Sequence, residues 1–324
     1  ADTRSSGYYS NDPNLAAARL AVKFELGEDK VHNATKAALI KQMSNNKYGE
    51  AAETAKEFGF GPDEINSIAL TVYKYLRERD SISAFNIQIK YELKLEAEER
   101  KNLANDCYEQ ILNIKKDFNE AANLAISENL GQEKVRGAMI LAFQRFNSDA
   151  PGLLGAARFA SSAAIVLENN GYGTEIIDEF KGMANDAAVK AIKEILMGAR
   201  ISENPDKLFE EFKIPKDRQK EIATEAFDSV ANRADLNYTW LAHLSEKYEL
   251  DAERSKTALE GQYAQLLDNG ASLEMLSYVA PKISQSKAEE MERNELLNML
   301  RRGEDKKAIT FIRDMATVTK QSSS

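Results

Sequence analysis

Residues 51–76 read AAETAKEFGFGPDEINSIALTVYKYL, and the fold follows from this stretch. Its first half, Ala51-Ala52-x-x-Ala55-x-x-Phe58-x-Phe60, places small and apolar side chains at helical spacing. Its second half places Ile68, Ala69, Val72, Tyr73 and Leu76 on one stripe of an α-helix. A strand would need apolar residues at every second position, and no such alternation is visible. Between the halves lies Gly59-Phe60-Gly61-Pro62, followed by Asp63-Glu64. Glycine suits the left-handed residue that ends a helix, and proline suits the start of the next. Acidic residues suit the positive end of a helix dipole. The stretch is helix A, a tight turn and helix B.

The same phrase recurs along the chain. It appears as Ala84-Phe85-x-Ile87 with Tyr91-x-Leu93, as Ala121-Ala122-x-Leu124-Ala125 with Leu130, and as Leu241-Ala242-x-Leu244 with Tyr248-x-Leu250. Its closing apolar residue serves as a ruler at Leu26, Phe60, Leu93, Leu130, Tyr172, Ile214, Leu250 and Ile283, in steps of 34, 33, 37, 42, 42, 36 and 33. Nine residues earlier stand Ala17, Ala51, Ala84, Ala121 and Ala163, small enough to let two helix backbones approach. Offsets +8, +9, +12, +13 and +16 hold Ala138, Met139, Ala142, Phe143 and Phe146 in the fourth unit, and Ile222, Ala223, Ala226, Phe227 and Val230 in the sixth. In the seventh they hold Ala258, Leu259, Tyr263 and Leu266. Gly27, Gly131 and Gly171 sit at further A-to-B turns, where the left-handed cap is expected.

One such pair cannot bury its apolar face alone, whereas stacked neighbours bury it jointly. The repeat predicts an all-α chain, an α-solenoid of about eight stacked antiparallel helix pairs over residues 11–316. Helix A should run about 12–14 residues and helix B about 14–18. Ala308–Met315 is expected to cap the stack as a half-unit, with flexible polar tails at 1–10 and 317–324.

Composition narrows the chemistry. The chain has 324 residues, with 52 Asp and Glu against 43 Lys and Arg, so its formal charge is −9. That balance disfavours unspecific nucleic-acid binding, which rests on basic side chains neutralising phosphates. One Cys and 2 His exclude a disulfide framework and any Cys-rich or His-rich metal site. The lone Cys fits the reducing cytoplasm expected for the chain, and it also fits an exported bacterial protein. The chain begins with Ala1, as a processed or trimmed protein would. Its longest apolar-leaning run, Leu153–Leu167, is interrupted by Arg158, Ser161 and Ser162, so no membrane span is expected.

Asp117-Phe118-x-x-Ala121-Ala122-x-x-Ala125 and the Ala/aromatic pairs of the B helices resemble tetratricopeptide-like and clathrin-type degenerate helical repeats over roughly residues 12–316. The Leu-Gly pair of helix A and the closing Pro of the strict tetratricopeptide pattern are missing, and the period drifts. The resemblance implies a stacked-helix fold and a tendency to bind other proteins. It carries over no functional residues.

Residues 147–205 depart from the pattern. Asp149-Ala150-Pro151-Gly152 opens a segment rich in Gly, Ala and Ser, including Ala156, Ala157, Ala160, Ala163 and Ala164. It reads either as a buried central helix or as a seam for an oligomer or a small ligand. A looser joint is expected at 198–205. Phosphate loops, dinucleotide fingerprints and nucleophile elbows are absent. A helical di-iron site needs Glu-x-x-His twice, but His32 follows Asp29 and His243 follows Trp240 at that spacing. Cys107 falls on the core stripe. His243 shares a surface position with Arg19, Glu53, Asn86 and Asn123. No catalytic residue, cofactor or metal site is assigned.

Trp240 precedes the core position of Leu241, where other units hold Ala16, Glu50, Ser83 and Glu120. With Tyr238 it is the candidate partner-binding residue, since exposed aromatics anchor interfaces. The alternative is that this unit repacks and swallows the ring. The leading expectation is a non-enzymatic scaffold that presents its helices to a peptide or partner helix. The alternatives are RNA binding through the varied polar row, and an enzyme or ligand binder with its site in 147–205.

Overall fold

A computed structural model describes residues 12–146, 148–198, 202–232, 237–269 and 273–321, without the side chains of 273, 274, 277 and 315–321. The tail at 1–10, the centre of the joint at 198–205 and the last three residues lie outside this description. Among the described residues every regular element is helical. The fold is all-α and built of helix pairs, as the ruler predicts.

The chain divides into two compact units, 1–145 and 146–324. The first holds α1 (Pro13–Lys23), α2 (Glu28–Ser44), α3 (Tyr48–Glu57), α4 (Pro62–Arg77), α5 (Ser81–Lys90), α6 (Ala97–Gln110), α7 (Phe118–Ser127) and α8 (Gln132–Phe143). A π-helical turn, Ile111–Lys115, prolongs α6. The second unit holds α9 (Ala150–Asn169), α10 (Thr174–Leu196), α11 (Pro205–Glu211), α12 (Lys216–Ala231), α13 (Tyr238–Lys247), α14 (Ala252–Asp268), α15 (Leu273–Val279), α16 (Gln285–Arg301) and α17 (Asp305–Gln321). Odd-numbered helices are the A helices and even-numbered ones the B helices. The A helices are shorter than expected, most of them 10 or 11 residues. α17 runs through Gln321, past Met315 and into the stretch expected to be a tail.

The ruler residue has a specific backbone role. Its N–H donates to the carbonyl five residues back: Leu26 to Ala21, Phe60 to Ala55, Leu93 to Gln88, Leu130 to Ala125, Tyr172 to Leu167, Ile214 to Phe209 and Leu250 to Ser245, all at 2.9–3.1 Å. The residue before it is left-handed in these seven: Glu25, Gly59, Glu92, Asn129, Gly171, Lys213 and Glu249, with φ from 50° to 73°. The eighth ruler residue, Ile283, departs, following a 3-10 turn and donating to Ala280 instead. The seven make the Schellman ending, which satisfies the last carbonyls of a helix and turns the chain. The B helices use it too, at Asn46 (φ 59°) and Gly303 (φ 74°). Gly27 and Gly131 were expected at the left-handed position. They stand two residues later instead, as the N-caps of α2 and α8.

The predicted stripes form the core. Ile68, Ala69, Val72, Tyr73 and Leu76 are all buried, as are Ile222, Ala223, Ala226, Phe227 and Val230. The fourth unit is a partial exception, because α8 ends at Phe143 and Phe146 is exposed. Of the small residues in the A helices, Ala51, Ala84, Ala121 and Ala163 are buried but Ala17 is exposed, and Ala18 takes the inner place. Thr54 shows which neighbour that row meets, for its hydroxyl accepts from the Gln42 amide of the preceding B helix. The first A helix has no such neighbour among the described residues. Successive B helices are tied by tyrosines at offset +13. Tyr73 donates to Glu99 at 2.7 Å, and Tyr263 donates to Glu292. Tyr108, displaced by a two-residue insertion, donates to the Lys134 carbonyl.

The small-residue segment forms α9, and its buried row Ala156, Ala157, Ala160, Ala163, Ala164 and Leu167 lets it pack along the 23-residue α10. α9 is long and apolar enough to cross a membrane by length and composition alone.

The left-handed residues yield a prediction of opposite signs. An L-residue there costs about 1–2 kcal/mol, more than the roughly 0.5–1 kcal/mol entropy cost of glycine. Glu92→Gly should therefore raise unfolding stability by about 0.5–1 kcal/mol, and Gly171→Val should lower it by about 1–2 kcal/mol. Urea midpoints at unchanged m-value measure both.

Candidate functional site

α13 carries Tyr238 and Trp240, and it starts cleanly because the Asn237 side chain accepts from the Trp240 N–H. The two aromatic side chains then diverge. The Trp240 indole N–H donates to the Leu196 carbonyl at 2.7 Å, satisfying one open carbonyl at the end of α10. Its half-buried ring packs on the core formed by α10 to α14 and lies 5.5 Å from the His243 ring. The Tyr238 ring lies on Gly261 of α14, so closely that a Cβ there would come within 2.1 Å of it.

Tyr238 also walls a cavity of about 490 Å³ between α13, α14 and α16. Ala264, Leu267 and Met291 add to its apolar lining, and Gln265, Asp268, Asn294, Asn298 and Glu295 supply polar groups. Glu295 is the unusual member, with only 8% of its surface exposed. It sits at offset +12 from Ile283, where Ala38, Val72, Ala142, Ala184 and Ala226 are buried core residues. Arg302 forms ion pairs with both carboxylates, 3.9 Å from Glu295 and 3.7 Å from Asp268. Sequence reasoning missed Glu295, although carrying the ruler into the eighth unit finds it. The neighbouring Glu292 is held above the usual carboxylate range by burial, against the Tyr263 hydrogen bond and with Glu289 adding to the rise.

No protein-family model and no curated protein matches the chain. The remaining sequence candidates are placed by geometry. Cys107 is buried, and burial, with Glu120 adding, pushes its thiol up to about 12, so it is a protonated core thiol at neutral pH. Arg19, Glu53, Asn86, Asn123 and His243 are all exposed. Arg19 is held by Glu57 of α3 through two hydrogen bonds of 2.8–2.9 Å. Among the described residues, no group of three or more His, Cys, Asp and Glu side chains could hold a metal ion.

The terminal helices carry uncovered apolar faces. In α3 the row six residues before the ruler meets the preceding B helix through Thr54, and in the same row Ile87, Leu124, Leu208 and Leu244 are buried, whereas Val166 of α9 is 37% exposed. In α1 that position is Leu20, which is 50% exposed beside Phe24 at 61%. α17 shows the opposite face. Its Ala308 is buried, whereas Ile309 and Ile312 are 58% and 52% exposed. Counted from the N-cap, Ile312 matches Ala55, Ala125 and Ser245, all buried.

Trp240→Phe removes the donor to Leu196 and should cost about 1–2 kcal/mol in urea unfolding. Gly261→Ala must displace the Tyr238 ring and should cost about 1–3 kcal/mol. In a Tyr238→Ala background the same change should be neutral or favourable, because alanine is the better helix former. Unfolding of the four proteins gives the coupling energy.

Proposed function

We propose that this chain is a non-enzymatic interaction scaffold whose terminal helices receive helical segments of a protein partner. The carrying observation is the pair of uncovered faces, Leu20 with Phe24 on α1 and Ile309 with Ile312 on α17. Each face lies at a register that interior pairs cover with another helix, so a partner helix meets a surface already shaped for one. The resemblance to tetratricopeptide-like and clathrin-type repeats supports the same reading. The formal charge of −9 favours protein over nucleic acid as the partner.

Crosslinking the chain to its partners in extract of its native host, then mapping the linked peptides, tests the proposal. Links should concentrate on α1 and α17. Leu20→Glu with Phe24→Glu, and Ile309→Glu with Ile312→Glu, should each abolish the links at their own end. Their melting should stay within about 0.5 kcal/mol of the parent, as for other surface changes. Undiminished links in both double variants would sink the reading.

A further inference from the structure

The stack breaks its packing rule at two buried positions beside one cavity. Sixteen residues after the ruler, other units hold the buried apolar residues Leu76, Ala188, Val230 and Met299, but the first holds Gln42. Six residues before the ruler, other units hold the buried Ile87, Leu124, Leu208 and Leu244, but the second holds Thr54. Gln42 is 2% exposed and Thr54 3%. The Gln42 Nε2 donates to the Thr54 hydroxyl at 3.1 Å, and the Gln42 Oε1 has no partner among the described residues. Leaving a buried acceptor unpaired is costly, and natural folds give such groups a donor. Both side chains line a cavity of about 490 Å³ between α1, α2 and α3, a volume within the range of small-molecule sites.

The free atoms define what completes them. A carboxamide has two N–H donors and one acceptor oxygen, and Gln42 uses one donor on Thr54. Its oxygen and its second N–H remain, side by side on one planar group. The matching group also carries a donor and an acceptor side by side. A carboxylate has no donor, an ammonium or guanidinium group has no acceptor, and a hydroxyl carries both on one atom. A second carboxamide meets the requirement. The cations around the cavity are already matched, Arg19 with Glu57, Lys47 with Glu50 and Lys41 with Asp12, so the cavity suits a neutral ligand. Arg19, Lys41 and Lys47 are about half exposed, and surface ion pairs of this kind are weak. These long side chains can therefore swing aside. Because Gln42 and Thr54 are almost wholly buried, the narrow tip of a ligand can reach them and a continuous backbone cannot.

We infer that the cavity between α1, α2 and α3 binds a primary carboxamide on a short stem, paired with the Gln42 amide. The carboxamide comes either from a free small molecule or from a Gln or Asn side chain of a partner. The inference stands apart from the scaffold proposal, because none of Leu20, Phe24, Ile309 and Ile312 lines the cavity.

NMR titration of the full chain, followed through its side-chain amide signals, tests it, with the Gln42 signal identified by its loss in Gln42→Leu. The probes are butyramide and N-acetyl-glutamine methylamide. The controls are N-acetyl-leucine methylamide, sodium butyrate, n-butylammonium chloride and n-butanol. Saturable displacement of the Gln42 signal by butyramide, by the glutamine amide or by both is expected, with none by the controls. Displacement by butyramide alone would assign a free amide, and displacement by the glutamine amide would assign a partner side chain. Gln42→Leu with Thr54→Val restores the apolar rows of the other units and should fold at least as stably as the parent. Read from the ligand's own signals, binding to this variant should be weaker by about tenfold or more. Lys47→Ala, at the exposed rim, should change affinity by less than about twofold. Equal displacement by any control, unchanged affinity in the double variant, or no displacement by either amide would overturn the inference, the last leaving Gln42 to bound water. The titration needs no partner protein, so failure here and failure of the scaffold proposal are separable.

Discussion

One hydrogen bond, from the N–H of the closing apolar residue to the carbonyl five residues back, sets the geometry of seven of the eight helix pairs. It ends helix A, reverses the chain and aims helix B back along its partner. Seven turns make it at 2.9–3.1 Å. The same turn recurs in both units, and within each unit the B-helix stripes it leads into are buried. The drifting period is tolerated for the same reason, since the extra residues lengthen helices or the links between pairs and leave the turn unchanged.

The turn explains both what was legible in the sequence and what was not. The ruler is visible because the residue making the bond also packs against the helix it closes, so it must be apolar. The left-handed residue before it is hidden, since Glu, Asn and Lys hold that place in five turns of seven and glycine in only two. A glycine search therefore lands on Gly27 and Gly131, which cap the following helices. Ala17 misleads for a related reason. Its row meets the preceding B helix in interior pairs, and α1 has no such neighbour among the described residues. Trp240 could not be placed from spacing, because its partner is a backbone carbonyl 44 residues earlier in the chain.

The core is unusually dependent on small side chains. Ala18, Ala38, Ala69, Ala84, Ala104, Ala121, Ala125 and Ala138 have no exposed surface in the first unit alone. Each such residue buries little apolar area, so close backbone approach and dispersion contacts must substitute for bulk. Ion pairs between neighbouring helices, such as Arg158 with Glu211 or Lys193 with Glu225, are mostly exposed and add little each. Stability is thus spread over many similar contacts between adjacent helices, as expected where each repeat touches only its neighbours.

A structure this regular makes its exceptions informative. A position that breaks the repeat rule in the interior must be compensated locally, because the neighbouring pairs cannot shift to absorb it. Gln42 and Thr54 show partial compensation, two buried polar side chains joined by one hydrogen bond that leaves the Gln42 amide oxygen without a partner. Glu292 shows it again, since its carboxylate accepts from the buried Tyr263. The apolar faces of α1 and α17 differ from these, because no other helix covers them among the described residues. In a stack where every interior pair solves the same packing problem in the same way, function is best sought where that solution is left open.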